Sequence, residues 1–497
     1  MVPIYAQFNN FWGIPIFQPR KSIHTFCPLA CAKWSISTIL GGNCLNTFLL
    51  SLFQKYLNVV LAMPDFLFLL ESRLSPDQYR VVEEVQTAAQ EQGVHLYLVG
   101  GALRDLIYGY PIRDLDFAVE GPALKVARSL LKHSALGKQI HAEFDETLRS
   151  AHLTYPSGLT VEISTCRHER RGKANQKPQL EFGGIYDDLR RRDFSMNAIA
   201  LSLNPKSRGL LLDPNNGVAD IERHEIRTLN SYAFTEDPVR LIRAVRFRTR
   251  LRFTLEERTE AQFRAAIEAG IIENASAEGL HCEFREMGRE ESPLEILKAL
   301  EKEELTTAFH PRFVGSRLNL AGLTQVAKTV QAIEEAGVLV RFQGPFFYFL
   351  LEKLPPRDRT DLMKRMGMKR SDTEDWMDLE PRTKKLVHDL AGKLANTPSK
   401  TYQLLEQQPG ELLLFILMKF PQKKIQDKVK NYLFRHRKMR DHLPKVELES
   451  LGVAPGTPRF EKILDAYFFG QLDGKVKSSK DPLKPLRKVI AEVDKAK

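Results

Sequence analysis

The sequence predicts an α+β fold, in which a small mixed α/β region is followed by a long helical region. Between residues 63 and 215, strand-like apolar runs alternate with helical patterns. From Asp220 almost to the end, apolar residues recur at helical spacing, with breaks at Gly344-Pro345, Pro355-Pro356 and Pro398. We therefore expect a sheet with accompanying helices first and helices alone afterwards.

Length and composition are those of a globular protein with several domains. The chain has 497 residues, too many for one compact core, so we expect three or four domains. Its hydrophobic content of 43% and charged content of 27% are ordinary. A net charge of +11 suits a polyanionic partner but does not identify one. The five cysteines show no pairing pattern, which predicts reduced thiols and a cytoplasmic protein.

The first 62 residues differ from the rest, because they contain no Asp or Glu and hold three of the five cysteines. A transit peptide should be richer in arginine. A membrane anchor between Cys44 and Met63 is interrupted by Lys55 and other polar residues. A third interpretation is that translation starts at Met63, where the composition becomes normal. We favour this third interpretation.

A strand, a glycine pair and a helix form the first candidate site. The apolar run His95–Val99 predicts a strand, Gly100-Gly101 a turn, and the residues from Ala102 to about Tyr108 a helix. Glycines let phosphate oxygens approach the backbone, and the first N–H groups of a helix favour an anion. With Arg104 in the helix, the pattern predicts a phosphate site.

Two carboxylates follow at once. Asp114 and Asp116 alternate along a predicted strand, so both project from one face. They repel each other unless a cation lies between them, and Mg²⁺ is the natural occupant. Glu162, on a later predicted strand, is a possible third carboxylate. A solvated Asp pair, and a Glu162 paired with an arginine, remain the alternatives.

Two more motifs are rich in charge. The run from Asp188 to Ala198 contains Arg192, whose guanidinium suits phosphate oxygens, and Asp193 and Asn197, which share a face if this run is helical. In Glu236-Asp237-Pro238-Val239-Arg240, the two residues Asp237 and Arg240 are neighbours on a helix that starts near Asp237. The alternatives are a solvated charged face and an ordinary helix cap with a salt bridge.

Arginines are dense just after the last motif and apolar residues lie between them, which predicts an amphipathic helix with a phosphate-facing stripe. These arginines are Arg240, Arg243, Arg246, Arg248, Arg250 and Arg252.

In their order, the three motifs resemble those of the class II tRNA nucleotidyltransferase and poly(A) polymerase family. That family has Gly-Gly-x-Val-Arg-Asp followed by Asp-x-Asp, then Asp-Leu-x-Arg-Arg-Asp-Phe-Thr-Ile-Asn-Ala, then Glu-Asp-x-x-Arg. Here Leu103 replaces the valine of the first motif. The resemblance is close over residues 94–253.

The resemblance implies roles for the site residues. Gly100, Gly101, Arg104 and Arg192 would bind phosphates, while Asp193 and Asn197 would contact the sugar and phosphates. Asp237 and Arg240 would act as a protein template for the base, with Arg243 and Arg246 also near the nucleotide. Cytosine and adenine both carry an exocyclic amine where uracil and guanine carry a carbonyl, so a carboxylate and an arginine can select them.

The resemblance also implies a polymerase-β-like head and helical domains after it. The expected organisation is an atypical extension at 1–62, a nucleotidyltransferase head at 63–217, a base- and RNA-binding neck at 218–310, a helical body at 311–440 and a helical tail at 441–497.

The expected activity is addition of C, C and A to the 3′ end of tRNA from CTP and ATP, with release of pyrophosphate. Asp114 and Asp116 would hold two Mg²⁺ ions, with Glu162 as a further catalytic carboxylate. The alternatives are an A-adding tRNA nucleotidyltransferase, a bacterial poly(A) polymerase and, more remotely, an inactive RNA-binding protein. We expect no membrane partner, and either a monomer or a homodimer.

Overall fold

The computed structural model describes residues 65–170, 179–477 and 482–495. The chain divides into two units, Met1–Asp65 and Phe66–Lys497, and the fold given below is that of the second unit. The predicted N-terminal extension lies outside the described residues.

The described residues form a mixed sheet of seven strands and two small two-stranded sheets. The strands are β1 (His95–Val99), β2 (Leu115–Glu120), β3 (His141–Asp145), β4 (Ser150–Thr154), β5 (Thr160–Thr165), β6 (Arg167–Arg170), β7 (Gln179–Phe182), β8 (Ala200–Ser202), β9 (Leu211–Leu212), β10 (Glu225–Ile226) and β11 (Thr254–Leu255).

The large sheet has the order β3-β4-β5-β2-β1-β8-β9. Strands β2 and β5 are parallel, and the other neighbouring strands of this sheet are antiparallel. The register places Val99 opposite Asp116, and Asp116 opposite Glu162. Because side chains alternate between the faces of a strand, Asp116 and Glu162 lie on the same face.

The helices, numbered in chain order, are α1 (Phe66–Arg73), α2 (Pro76–Glu91), α3 (Gly101–Tyr108), α4 (Ala123–His133), α5 (Ile185–Arg190), α6 (Gly217–Arg223), α7 (Ala233–Glu236), α8 (Val239–Leu251), α9 (Glu257–Glu268), α10 (Ala277–Arg289), α11 (Pro293–Lys302), α12 (Leu320–Glu335), α13 (Gln343–Leu351), α14 (Pro356–Arg365), α15 (Glu374–Met377), α16 (Leu379–Ala391), α17 (Pro398–Glu406), α18 (Gly410–Lys419), α19 (Lys423–Asn431), α20 (Arg437–Asp441), α21 (Lys445–Ser450), α22 (Pro458–Leu472) and α23 (Leu483–Lys495). Short 3-10 turns occur at Ser195–Asn197, Ile271–Asn274, Leu305–Ala308, Gly315–Leu318, Ser371–Thr373 and Lys393–Ala395, and a π-helical turn at Tyr432–His436.

Both faces of the large sheet are covered. On one face, Leu98 and Phe117 belong to the main hydrophobic core, to which α2 and α4 also contribute. On the other face, Val99 and Ala118 form a smaller cluster with Leu189 of α5. Strands that are buried on both faces have continuous apolar runs, which explains the sequence pattern of β1.

The remaining helices extend the main core, whose members run from Leu70 to Phe468. A second hydrophobic cluster joins α21, α22 and α23 through residues such as Leu448, Ile463 and Leu486. The predicted α+β fold is confirmed, while the domain boundaries proposed from the sequence stay predictions. Within the described residues, no helix combines the length and apolarity that a membrane crossing requires.

Candidate active site

The turn between β1 and α3 requires glycine at its first position. Gly100 has φ +71° and ψ −138°, a backbone conformation that side-chain-bearing residues avoid. A Cβ at this position would lie 3.0 Å from Asp116 Oδ2 and 3.2 Å from Arg192 Nη1. The turn, the carboxylate and the guanidinium are therefore in close approach, as a phosphate-binding site next to a carboxylate requires.

Asp116 stands in a crowded anionic environment. Burial and the neighbouring carboxylate of Glu162 raise the pKa of Asp116 to about 7, with a smaller contribution from Asp114. The positive charge of Arg192 lowers the pKa of Asp116 and so opposes these effects. A cation bound next to such a carboxylate would stabilise its charged form. Carboxylates with a strongly raised pKa are typical of functional sites.

Asp114 immediately precedes β2 and is held by three donors. Its Oδ1 accepts a hydrogen bond from the Thr160 hydroxyl and one of 2.8 Å from Arg289 Nη2. Its Oδ2 accepts a bond of 3.2 Å from Arg113 Nε. Burial raises the pKa of Asp114, but these three groups outweigh it, so that the net shift is downward. Arg289 is 175 positions away in the chain, and sequence reasoning missed it.

The carboxylates fit a hard divalent cation, although they are not arranged around one. In the described ranges, no group of three or more His, Cys, Asp or Glu side chains has a ready ligating arrangement. The donor set of Asp114, Asp116 and Glu162 supplies the oxygen ligands that Mg²⁺ prefers. The space beside Gly100, which a Cβ would fill, borders one of those oxygens.

Arg192 is positioned by a buried carboxylate. Asp188 of α5 is fully buried and binds Arg192 through a hydrogen bond of 2.8 Å from Nη2. The same carboxylate also accepts from Arg191. Arg192 therefore cannot swing freely, and its Nη1 faces Gly100 and Asp116.

Asp193 and Asn197 are in contact, but not on an α-helix as the sequence interpretation assumed. Helix α5 ends at Arg190, and the segment Ser195–Asn197 is a single 3-10 turn, because the backbone is extended at Phe194 (φ −130°, ψ 152°). The turn still places Asn197 Nδ2 3.0 Å from Asp193 Oδ1. The expected proximity is thus confirmed and the expected helix is wrong.

Arg104 is buried, with only 3% of its surface exposed. Its Nε donates to Asp105 Oδ1 at 2.9 Å and its Nη1 to Asn197 Oδ1 at 2.7 Å. Its guanidinium also lies 4.8 Å from the centre of the Phe247 ring. Arg104 therefore links the start of α3 to the turn that carries Asn197, and its phosphate-binding role stays a prediction.

Asp237 and Arg240 stand together at the junction of α7 and α8. Asp237 follows α7 directly, Pro238 precedes α8, and Arg240 Nε lies 3.7 Å from Asp237 Oδ2. Arg240 Nη2 donates to the backbone oxygen of Arg191 at 3.2 Å. Among the described residues, the buried Nε of Arg240 has no hydrogen-bond acceptor. The pair therefore has an N–H group available beside a half-exposed carboxylate.

The arginines of α8 pair with carboxylates of this chain and so do not present the phosphate-facing stripe that the sequence suggested. Arg243 Nε donates to Glu283 Oε1 at 2.6 Å and Arg246 Nε to Glu283 Oε2 at 2.9 Å. Glu283 lies on α10 and is 1% exposed. Further ion pairs on α8 join Arg243 to Asp193, Arg246 to Glu290, Arg248 to Glu303 and Arg250 to Asp105.

These pairs close a ring of side chains between the sheet and the helices. The ring consists of Asp193, Arg243, Glu283, Arg246, Glu290, Arg250, Asp105, Arg104 and Asn197. Its acidic members on α10 and just after it neutralise the arginines, since buried charges are tolerated only when they are paired. The ring fixes α8, and with it Arg240, relative to the glycine turn.

Known proteins that are similar to this chain include tRNA nucleotidyltransferases. The family model described as the poly A polymerase head domain matches residues 96–227. The A-adding tRNA nucleotidyltransferase of Geobacter sulfurreducens is 26% identical over 433 residues, which are 86% of this chain and 49% of the relative. That of Halalkalibacterium halodurans is 28% identical over 422 residues, 84% of this chain and 93% of the relative.

A third relative, the CCA-adding enzyme of Lactobacillus helveticus, is 31% identical over 218 residues, which are 43% of this chain and 51% of the relative. The chain thus spans about half the length of the Geobacter relative and of the Lactobacillus relative.

Proposed function

We propose that the chain, which is similar to tRNA nucleotidyltransferases and to the poly A polymerase head domain, extends the 3′ end of tRNA without a nucleic-acid template. The observation that carries the proposal is the close approach of Gly100, Asp116 and Arg192. A nucleoside triphosphate needs a backbone turn and a guanidinium for its phosphates, and a carboxylate next to them for a cation.

In the proposed complex, the triphosphate lies at Gly100 and Gly101, at the N-terminus of α3, with Arg192 as the side-chain donor. Asp188 holds that guanidinium in place, so little conformational entropy is lost when the phosphate binds. Asp193 and Asn197, which are fixed to each other, contact the sugar.

The base is selected at Asp237 and Arg240. The carboxylate accepts from an exocyclic amine, and the buried Nε of Arg240 donates to the adjacent ring acceptor. A base with a carbonyl in place of the amine leaves the Asp237 carboxylate and the Arg240 N–H without partners. The resulting loss of binding free energy is far larger than that from an imperfect fit in an apolar pocket. The pair therefore accepts adenine and cytosine and rejects guanine and uracil.

The reaction joins the 3′ oxygen of the RNA to the α-phosphorus and breaks the bond from that phosphorus to the bridging oxygen of pyrophosphate. Asp114, Asp116 and Glu162 are the residues that would hold divalent cations. A bound Mg²⁺ supplies positive charge that lowers the pKa of the attacking hydroxyl and neutralises the leaving group. The protein supplies orientation through the glycine turn, Arg192 and the base-selecting pair.

We propose addition of the terminal adenosine, from ATP, to a tRNA that ends in CC. This proposal is supported by two relatives, each aligned over more than four fifths of this chain, that are named A-adding tRNA nucleotidyltransferases. The second candidate is addition of the whole CCA sequence from CTP and ATP, because Asp237 and Arg240 suit both bases and a CCA-adding relative also matches.

The test uses the full chain, Mg²⁺ and tRNA transcripts that end before CCA, after C or after CC, with each nucleotide supplied alone and together. Products are sized at single-nucleotide resolution, with the Asp116→Asn variant as the control. Addition of one A to the CC-ended transcript alone supports the A-adding reaction, and stepwise C, C, A addition supports the second candidate. A long adenosine ladder on unrelated RNA would indicate a poly(A) polymerase, and no incorporation by folded protein would refute the proposal.

A further inference from the structure

Asp114 belongs to a closed quartet of ion pairs that links the sheet to α10. Arg289 Nη2 binds Asp114 Oδ1 at 2.8 Å, and Arg289 Nη1 binds Glu286 Oε1 at 2.8 Å. Arg113 Nη2 binds Glu286 Oε2 at 3.0 Å, and Arg113 Nε binds Asp114 Oδ2 at 3.2 Å. Two arginines and two carboxylates therefore alternate around the quartet, with Arg289 and Glu286 at the C-terminal end of α10.

The quartet occupies both oxygens of Asp114. Arg289 and the Thr160 hydroxyl share Oδ1, while Arg113 takes Oδ2. These three bonds use about three of the four lone pairs of the carboxylate, and the two guanidinium groups offset its charge, so a divalent cation at Asp114 would compete with the arginines. Asp116, one residue further along β2, has no such bond to Arg113 or Arg289 among the described hydrogen bonds and ion pairs.

The four side chains are also accessible enough to rearrange. The exposed fractions of the side chains are 31% for Arg113, 25% for Asp114, 18% for Glu286 and 25% for Arg289. Ion pairs with this exposure are of modest strength and can exchange partners, unlike the pairs of the fully buried Glu283.

We propose that Arg289 is a positioning residue, which holds Asp114 and competes with a divalent cation for that carboxylate. Cation binding releases Arg289 from Asp114 and leaves Glu286 as its remaining partner. The end of α10 is thereby coupled to the occupancy of the cation site. The inference rests on the proposed function, because it requires Asp114 to be a cation ligand.

A direct test measures Mn²⁺ binding to the nucleotide-free full chain by electron paramagnetic resonance of the unbound ion. The variants are Arg289→Gln, which removes the competitor, and Arg289→Lys, which keeps the charge but cannot bridge two carboxylates with a planar fork. The matched control is Arg285→Gln, which removes the same charge from an exposed position one turn earlier on α10.

Arg289→Gln is expected to tighten Mn²⁺ binding about three- to tenfold, as loss of a partly exposed ion pair allows. Arg289→Lys should give a smaller increase, and Arg285→Gln none. Loss of a merely structural contact would weaken Mn²⁺ binding or leave it unchanged, and either result for Arg289→Gln would overturn the inference. The inference would also be overturned if Arg289→Lys and the unaltered protein bound Mn²⁺ equally, because the charge of residue 289 would then explain the whole effect without its planar fork.

The same experiment separates this inference from the proposed function. Mn²⁺ binding by the unaltered chain has to disappear in Asp116→Asn for the carboxylates to form the cation site. If no such binding is found, the proposed function fails at its cation site. If binding is found but Arg289→Gln does not tighten it, only the role of Arg289 fails. Thermal unfolding with and without Mn²⁺ gives a second readout, because tighter binding raises the melting temperature further.

Discussion

Replacing Gly100 by alanine tests the glycine turn most sharply. The new Cβ would lie 3.0 Å from Asp116 Oδ2, whereas ordinary van der Waals contact begins at about 3.5 Å. The carboxylate therefore has to retreat by roughly half an ångström, or the turn has to move. The backbone conformation, with φ +71° and ψ −138°, adds about 1–3 kcal/mol of strain.

Gly109 provides the matched control at the other end of α3. It has φ +91°, and a Cβ there would meet nothing within 4 Å. Gly109→Ala therefore carries backbone strain of about 1 kcal/mol without touching the candidate site. Both variants should lower the free energy of unfolding, but only Gly100→Ala should displace a carboxylate.

The assay is single-turnover addition of adenosine to a CC-ended tRNA transcript, alongside denaturant unfolding of each variant. Displacement of a catalytic group by 1 Å costs about 100-fold in rate, so half that distance predicts a loss on the order of tenfold or more for Gly100→Ala. The rate of adenosine addition by Gly109→Ala should stay within about twofold of the rate of the unaltered protein, which is a small change in activation free energy. Equal activities of the two variants would refute the reasoning.

Three further predictions concern buried charges and the base-selecting pair. Asp116→Asn should raise the free energy of unfolding of the metal-free protein by about 2–4 kcal/mol at pH 8 and change it little at pH 4. The pKa of the Asp116 carboxyl is about 7 in the folded protein and lower in the unfolded chain, so the free energy of unfolding of the unaltered protein falls as the pH rises between these two values. Denaturant unfolding at both pH values checks this, and an equal effect at pH 4 would contradict it. Glu283→Gln should lower the free energy of unfolding by about 3–5 kcal/mol, since Arg243 and Arg246 lose their shared buried partner, and an unchanged urea midpoint would count against the ring. Arg240→Gln should reduce the preference for ATP over GTP, measured as the ratio of kcat/KM values, by about 100-fold, and an unchanged ratio would exclude Arg240 from base selection.

The elements that sequence reasoning predicted well are those set by local pattern. The apolar run His95–Val99 is β1, and the helix expected from Ala102 begins one residue earlier, at Gly101. Glu162, the possible third carboxylate on a later predicted strand, lies opposite Asp116 in the parallel register of β2 and β5. In each case, strand period or turn chemistry over a few residues was sufficient.

The features that could not be predicted from the sequence depend on contacts between segments that are distant in the chain. The arginine-rich α8 suggested a phosphate-facing stripe, because the acidic partners lie elsewhere in the chain. The sequence does contain a pattern that indicates those acidic partners. Glu283, Glu286 and Glu290 recur at spacings of three and four, which places them on one face of α10 and its end. An acidic face of this kind, paired with an arginine-rich helix, predicts ion pairs between the two helices.

The quartet around Asp114 shows the same limit. The sequence indicates that Asp114 and Asp116 are equivalent ligands, since they share one short motif. The structure separates them, because Asp116 lies between Glu162 and Arg192, whereas Asp114 is bound by Arg113 and Arg289. The difference arises from α10, whose position relative to the sheet no local pattern specifies.

The central claim is that this chain transfers a nucleotide to the 3′ end of tRNA through the carboxylates of its sheet. The most direct test counts pyrophosphate released and nucleotide incorporated in one reaction with tRNA, ATP, CTP and Mg²⁺, for the unaltered chain and for Asp116→Asn. We expect one pyrophosphate per nucleotide added, and a rate of incorporation about 1,000-fold lower in Asp116→Asn, because a group that stabilises the transition state has been removed. Release of inorganic phosphate without incorporation, or full activity of Asp116→Asn, would contradict the central claim.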